Sequence, residues 1–176
     1  MSSQNQPTVT TGPESSKTPA VSKPSTTSDR KPTNNQLSTH LPGPTTYYTG
    51  HNDKTGEAII HSSRPVDWLS YDDDKLSMST VYTAPFLPDL NQDADVAAHD
   101  HKMEVGGGKM GLVLEGGSVL RYVDFAPDFT CMMHRTQSVD FGIVLEGQIV
   151  SLLDSGEERL MSRGDVMVQR ATMHAW

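Results

Sequence analysis

From Lys109 onward, apolar and polar residues alternate in short runs broken by turn signals. In SVLRYVDFAP, Val119, Arg121, Val123 and Phe125 fall on one side, and Leu120, Tyr122 and Asp124 on the other. A period of two over roughly five to eight residues marks a half-buried strand. KMGLVLEGG, FTCMMH, VDFGIVLEG, QIVSLLD, ERLMS and VMVQ read the same way. Turns are expected at Gly116-Gly117, Pro127-Asp128, Glu146-Gly147, Asp154-Ser155-Gly156-Glu157 and Arg163-Gly164-Asp165. The pattern predicts antiparallel all-β structure, closed as a sandwich or small barrel that hides its strand edges. After residue 100 no stretch of about 12 residues carries a helical apolar stripe.

Upstream the signal weakens. TTYYTGHNDKTGEAIIHS predicts two extended segments around a turn at Asn52-Asp53-Lys54, the second ending near Ile60. Asp72, Asp73 and Asp74 form an acidic run that reads as a solvated turn or, less simply, a cation site. Pro85 and Pro88 flank Phe86-Leu87 and predict an extended arm. Residues 1–40 hold 16 Ser/Thr and 5 Pro and no aromatic residue. Such a segment buries too little apolar surface to offset chain entropy, so residues 1–43 are expected to be a disordered tail. The division that follows is a tail over 1–43, an arm with edge strands over 44–108 and a barrel core over 109–176.

Composition narrows the class. The chain has 176 residues, enough for one domain and an appendage, and 35% of them are apolar. Net charge is −8; residues 1–40 carry +2, so the remainder carries −10. That acidity repels nucleic acid and anionic lipid. A single cysteine, Cys131, permits no internal disulfide and reads as a small apolar residue. The N-terminal MSSQNQPTVTTGPESS has no leader pattern, and no run approaches about 18 apolar residues. A cytoplasmic protein with a small-molecule partner is the expectation.

Candidate chemistry gathers in the strand-rich half. His134, Thr136 and Asp140 share a parity, so all three can face a barrel interior. His174 arrives about 40 residues later on another strand. Two imidazoles and a carboxylate on one face suit Fe(II), Mn(II) or another first-row ion with open positions. The same groups without a metal allow general acid–base catalysis, with Asp140 orienting a histidine and Thr136 or Gln137 fixing substrate oxygens. Hydrogen-bonded core or rim residues are the ordinary alternative. Arg135 and Arg170 could contact an acidic substrate or an enolate, or stand solvated among carboxylates. Gln169 points inward by alternation. His99 and His101 form an H-x-H whose polar flanks resemble a loop, and Gly106-Gly107-Gly108 reads as a flexible turn.

MMHRTQSVDFGIVLEG over 132–147 and RATMHAW over 170–176 resemble the two motifs of the cupin superfamily. More narrowly, they are similar to those of small fungal cupins from secondary-metabolite gene clusters. NQDADVAAHD and KMGLVLEGGSVLRYVDFAP extend the likeness over about residues 48–176. The resemblance implies a single antiparallel jelly-roll-like barrel. It implies metal ligands at His134, Asp140 and His174, with Thr136 where the pattern has a second His and Asp140 where it has the longer Glu. One divalent transition metal (Fe, Mn or Zn) or none is the cofactor expectation. The implied function is a cupin-type oxidoreductase acting on a polyketide or aromatic intermediate. A non-redox isomerase, dehydratase or decarboxylase, or a degenerate binding barrel, are the alternatives.

The sequence given ends at Trp176, two residues past His174, where such cupins continue. Open edges there predict a possible homodimer and a melting temperature below ~65 °C.

Overall fold

The computed structural model describes residues 30–176. The first 29 residues, most of the expected tail, lie outside the described residues. Strands β1 (Thr45–His51) and β2 (Ala58–Pro65) form an antiparallel hairpin. Its turn is built by Asn52, whose Oδ1 accepts from the backbone N–H of Lys54 at 2.9 Å and of Thr55 at 3.2 Å. The second strand runs past the expected end at Ile60 to Pro65.

Strands β3 (Leu69–Tyr71), β4 (Leu76–Pro85) and β5 (Gly117–Phe125) make a three-stranded antiparallel sheet with β4 in the middle. Asp72, Asp73 and Asp74 form the β3–β4 turn, all at positive φ, a backbone region Asp tolerates better than most residues. The sheet has two faces. On the outer one, Val66, Trp68 and Val81 form a buried cluster with Tyr122 against it. On the inner one stand Leu69, Met78, Thr80 and Arg121, by the registers Leu69↔Met78 and Thr80↔Arg121.

Residues 30–43 correct the tail expectation, because they cover the outer face. Trp68 Nε1 donates to Thr33 Oγ1 at 2.9 Å, Asn35 Nδ2 to Trp68 O at 3.0 Å and Ser77 Oγ to Asn35 O at 2.8 Å. The Leu37 and Ser38 amides and the Ser38 hydroxyl all donate to Asp124 Oδ2, at 3.0, 2.9 and 2.7 Å. Composition is polar here because the segment is held by hydrogen bonds rather than by apolar burial.

A second correction is a helix. After a 3-10 turn at Asn91–Asp93, α1 runs over Ala94–Val105, where a loop was expected. It buries only Val96 and His99, so it lacks the apolar stripe that would announce it. Polar ties dock it instead. Tyr82 OH donates to Asp95, His99 Nδ1 lies 3.1 Å from Thr83 Oγ1, and Arg64 grips Asp100 with both terminal nitrogens. Gly107 and Gly108, at φ +59° and +79°, end it, with Gly108 N donating to Met103 O at 2.8 Å.

The remaining strands are β6 (Val139–Ile143), β7 (Gln148–Leu153), β8 (Glu158–Ser162), β9 (Val166–Arg170) and β10 (His174–Ala175). β6 pairs with β9, and β7 pairs with both β8 and β10. KMGLVLEGG is not a strand before Gly117, and FTCMMH contributes only an isolated bridge at His134, since neither run finds a ladder partner. The antiparallel, mostly strand architecture holds. Among the described residues, however, the strands form four separate sheets and not one closed barrel. Phe141, Ile143, Val166 and Val168, facing each other across β6 and β9, are all half or more exposed.

Candidate functional site

His134 and His174 meet. Their backbones form a mutual antiparallel bridge, with both N–H···O distances at 2.9 Å. Their rings lie 4.4 Å apart between centroids and are tilted by 54°. His134 Nδ1 is 2.8 Å from Met132 O, and His174 Nδ1 is 2.9 Å from Thr172 O. A carbonyl only accepts, so each Nδ1 carries the proton and each Nε2 is left with a lone pair. His174 is buried and His134 half-buried, so His134 is the one a ligand meets first.

The flanking residues fix this pair. Cys131 N donates to Trp176 O at 3.0 Å, and Trp176 N donates to Cys131 Sγ at 3.3 Å. Cys131 is thus half-buried and tied to the terminal residue. The Trp176 ring packs edge-on to His174 at 5.9 Å, and a Cβ on Gly142 would touch its indole at 3.5 Å. Gly142 and Asp140 share a face of β6 by alternation, so Asp140 lies on the face of β6 that Trp176 packs against.

Asp140 does not complete a ligand set. Its Oδ2 accepts from Thr136 Oγ1 at 2.9 Å and its Oδ1 from Ser138 Oγ at 2.8 Å. Among the described residues, no three His, Cys, Asp or Glu side chains gather closely enough to hold a metal ion. As placed, Asp140 does not join His134 and His174 in the expected three-ligand set; the two Nε2 lone pairs remain, and each can take up a proton. His99 and His101 do not supply the missing ligand. They sit on α1, where His99 is buried, and burial pushes its imidazole below the ordinary histidine range.

Gln169 stands opposite Asp140 in the β6–β9 register and is buried. Its Oε1 accepts from Thr172 Oγ1 at 2.6 Å, while its Nε2 has no partner. Ser151 on β7 is likewise buried with an unpartnered hydroxyl. Arg135, Gln137 and Arg170, expected near substrate, are exposed instead, on the positions that alternate with His134, Thr136 and Gln169. Sequence reasoning missed Arg121. It is half-buried, and its Nη2 donates to Gly111 O at 3.1 Å. Burial holds its guanidinium below the ordinary arginine range, against the opposing pull of Tyr71 and Asp140. The signal was present, since Arg121 is the one charge on the Val119, Val123, Phe125 side of its strand.

No protein-family model matches the chain. The chain is 39% identical over 148 residues to the phomopsin biosynthesis cluster protein D of Diaporthe leptostromiformis, covering 81% of this chain and 74% of that protein. It is 35% identical over 132 residues to the cupin-domain-containing oxidoreductase virC of Hypocrea virens, covering 74% and 64%. It is 37% identical over 132 residues to the cupin-domain-containing oxidoreductase fogC of Aspergillus ruber, covering 74% and 62%. The chain belongs to this family of fungal cupin-domain proteins. It spans about three quarters of the phomopsin-cluster relative and under two thirds of the two oxidoreductases. In this cupin-domain chain the His134–His174 pair joins the two motif segments, 132–147 and 170–176. No helix among its described residues is long and apolar enough to cross a membrane.

Proposed function

We propose that this cupin-domain chain is an oxidoreductase of a fungal biosynthesis cluster, acting on a polyketide or related aromatic intermediate. The observation that carries the reading is the facing imidazole pair, with each Nδ1 bound to a backbone carbonyl and each Nε2 free. The names of the virC and fogC relatives support the class of reaction.

The chemistry starts with a proton. His134 Nε2 takes it from an activated C–H or phenolic O–H of the bound intermediate. The electron pair stays on the substrate as a carbanion, enolate or phenolate. His174 packs against the resulting imidazolium, and the fixed Nδ1 protons keep both rings in one tautomer. The electron-rich anion then gives its electrons to dioxygen. For a methylene between aromatic rings, one O₂ yields the ketone and one water.

Dithranol, a hydroxylated anthrone, is a suitable probe. Oxygen uptake above the buffer rate is expected with the parent protein, and His134→Ala should lower the catalysed part by ~10²-fold or more. Equal uptake in parent and variant would remove the mechanism.

A second reading is favoured because, among the described residues, no three-ligand set gathers around the histidines. The same proton transfer without oxidation would isomerise, dehydrate or decarboxylate the intermediate. Substrate consumption that continues in the absence of O₂ selects this alternative. Saturable binding with no product in either atmosphere selects a non-catalytic binding protein.

A further inference from the structure

The inner face of the β3–β4–β5 sheet carries a cavity of about 230 Å³, lined by Leu69, Tyr71, Met78, Thr80, Leu112 and Arg121 among others. Arg121 is a cation in mostly apolar walls. Its Nη2 is spent on the carbonyl oxygens of Gly111, at 3.1 Å, and Leu112, at 3.4 Å. Among the described residues no carboxylate lies within ion-pair distance of it, whereas Arg64, Arg159 and Arg163 each have one. Asp140 is close enough to act on it only through space. Charges removed from water are normally paired, because desolvating an unpaired one is costly. A guanidinium also presents its N–H groups as a fork shaped for two oxygens.

We infer that this cavity is an anion subsite, in which Arg121 binds the carboxylate of a single-ring aromatic acid, or the acid-bearing ring of a larger intermediate. The size fits one ring, since a cavity of about 150 Å³ holds benzene. The walls fit it too. Leu69, Met78 and Leu112 give the ring apolar contact, while Tyr71 and Thr80, which line the same cavity, bring hydroxyl-bearing side chains to it. Arg121 thereby takes the part that the sequence offered to Arg135 and Arg170, which face solvent.

This deepens the reading of an enzyme for aromatic intermediates and rests on it for the substrate's identity, but its test needs no turnover. Salicylate and its neutral isostere salicylamide are titrated into the full chain by calorimetry. The parent should bind salicylate at least tenfold more tightly, and Arg121→Gln should lose that preference while still binding salicylamide. Arg121→Lys, keeping the charge but not the fork, should fall between. Equal affinities for the two probes in the parent protein, or an anion preference that survives Arg121→Gln, would overturn the subsite. Should Arg121→Gln fail to fold, the parent's preference together with Arg121→Lys decides it. Binding of salicylate without dithranol oxidation would leave the subsite standing and remove only the catalytic reading. Oxidation without an anion preference would do the reverse.

Discussion

The two halves of the described chain are held together by different means. In residues 30–125, Tyr48, Val66, Trp68, Val81, Ala84 and Val96 are buried. Polar groups there are mostly bonded across long stretches of sequence, as in Asn35 to Trp68, Ser38 to Asp124 and Thr83 to His99. In residues 126–176 only Met161 and Ala175 are buried apolar residues, and Phe141, Ile143, Leu160 and Val168 lie open. Yet the histidine pair, Asp140 and Gln169 all belong to that second half. Most of the packing and the histidine pair are therefore separated, while the Arg121 cavity lies in the packed half. The first half is a packed scaffold, and the second presents the site on two thin sheets.

The sharpest way to break this comparison is to attack each half once. Trp68 is 4% exposed and bonded to Thr33, so Trp68→Ala should cost about 3–5 kcal/mol. Phe141 is a large aromatic too but 71% exposed, and Phe141→Ser should change stability by no more than about 0.5 kcal/mol. Urea unfolding of both variants measures the contrast. Equal losses would mean that the β6–β9 face is covered in solution and that the halves are alike.

How much of this division was legible in the sequence depends on what holds each element. Alternation located β5 to β9, because period two is written into a strand that has a partner. It also proposed a strand over KMGLVLEGG, where the same apolar period exists without one. The meeting of His134 and His174 was readable from the two motifs. That Asp140 would be occupied by Thr136 and Ser138 was not, since parity puts groups on one face without saying which bond they make. Helix α1 and the 30–43 cover were hidden for a common reason. Both are fixed by polar contacts to distant residues, Asp124 lying 86 positions beyond Ser38, and composition carries no trace of such pairs.

A smaller effect separates the halves by pH. Burial lowers the folded pKa of His99, which docks α1 on Thr83. The unfolded chain then binds the proton more readily. Stability is complete above the ordinary histidine pKa of about 6.5 and is lost as pH falls through that value toward the folded one. The slope for one group cannot exceed about 1.4 kcal/mol per pH unit. Melting curves at pH 7.5 and 5.5 should show a loss that His99→Gln reduces. If the loss is identical in the variant, His99 is not the group responsible and the packed half is not pH-sensitive through its helix.

The smallest effect tests the difference in polar pairing directly. Ser77 and Ser151 are both fully buried serines on strands. The Ser77 hydroxyl donates to Asn35 O at 2.8 Å, whereas that of Ser151 has no partner. Removing the first leaves a carbonyl without its donor and should cost about 1–2 kcal/mol. Removing the second takes away an unsatisfied group, so Ser151→Ala should be neutral or slightly stabilising. Gln169→Leu deletes the unpartnered Nε2 but also the Oε1 that accepts from Thr172 Oγ1, so it should cost more than Ser151→Ala. Among the described residues the buried side-chain atoms without a partner are Ser151 Oγ and Gln169 Nε2 in the second half and Ser62 Oγ on β2 in the first, so the contrast is one of proportion, and Ser62→Ala should also be close to neutral. A loss at Ser151 as large as that at Ser77 would place Ser151 in the scaffold, and the boundary between the halves would have to move.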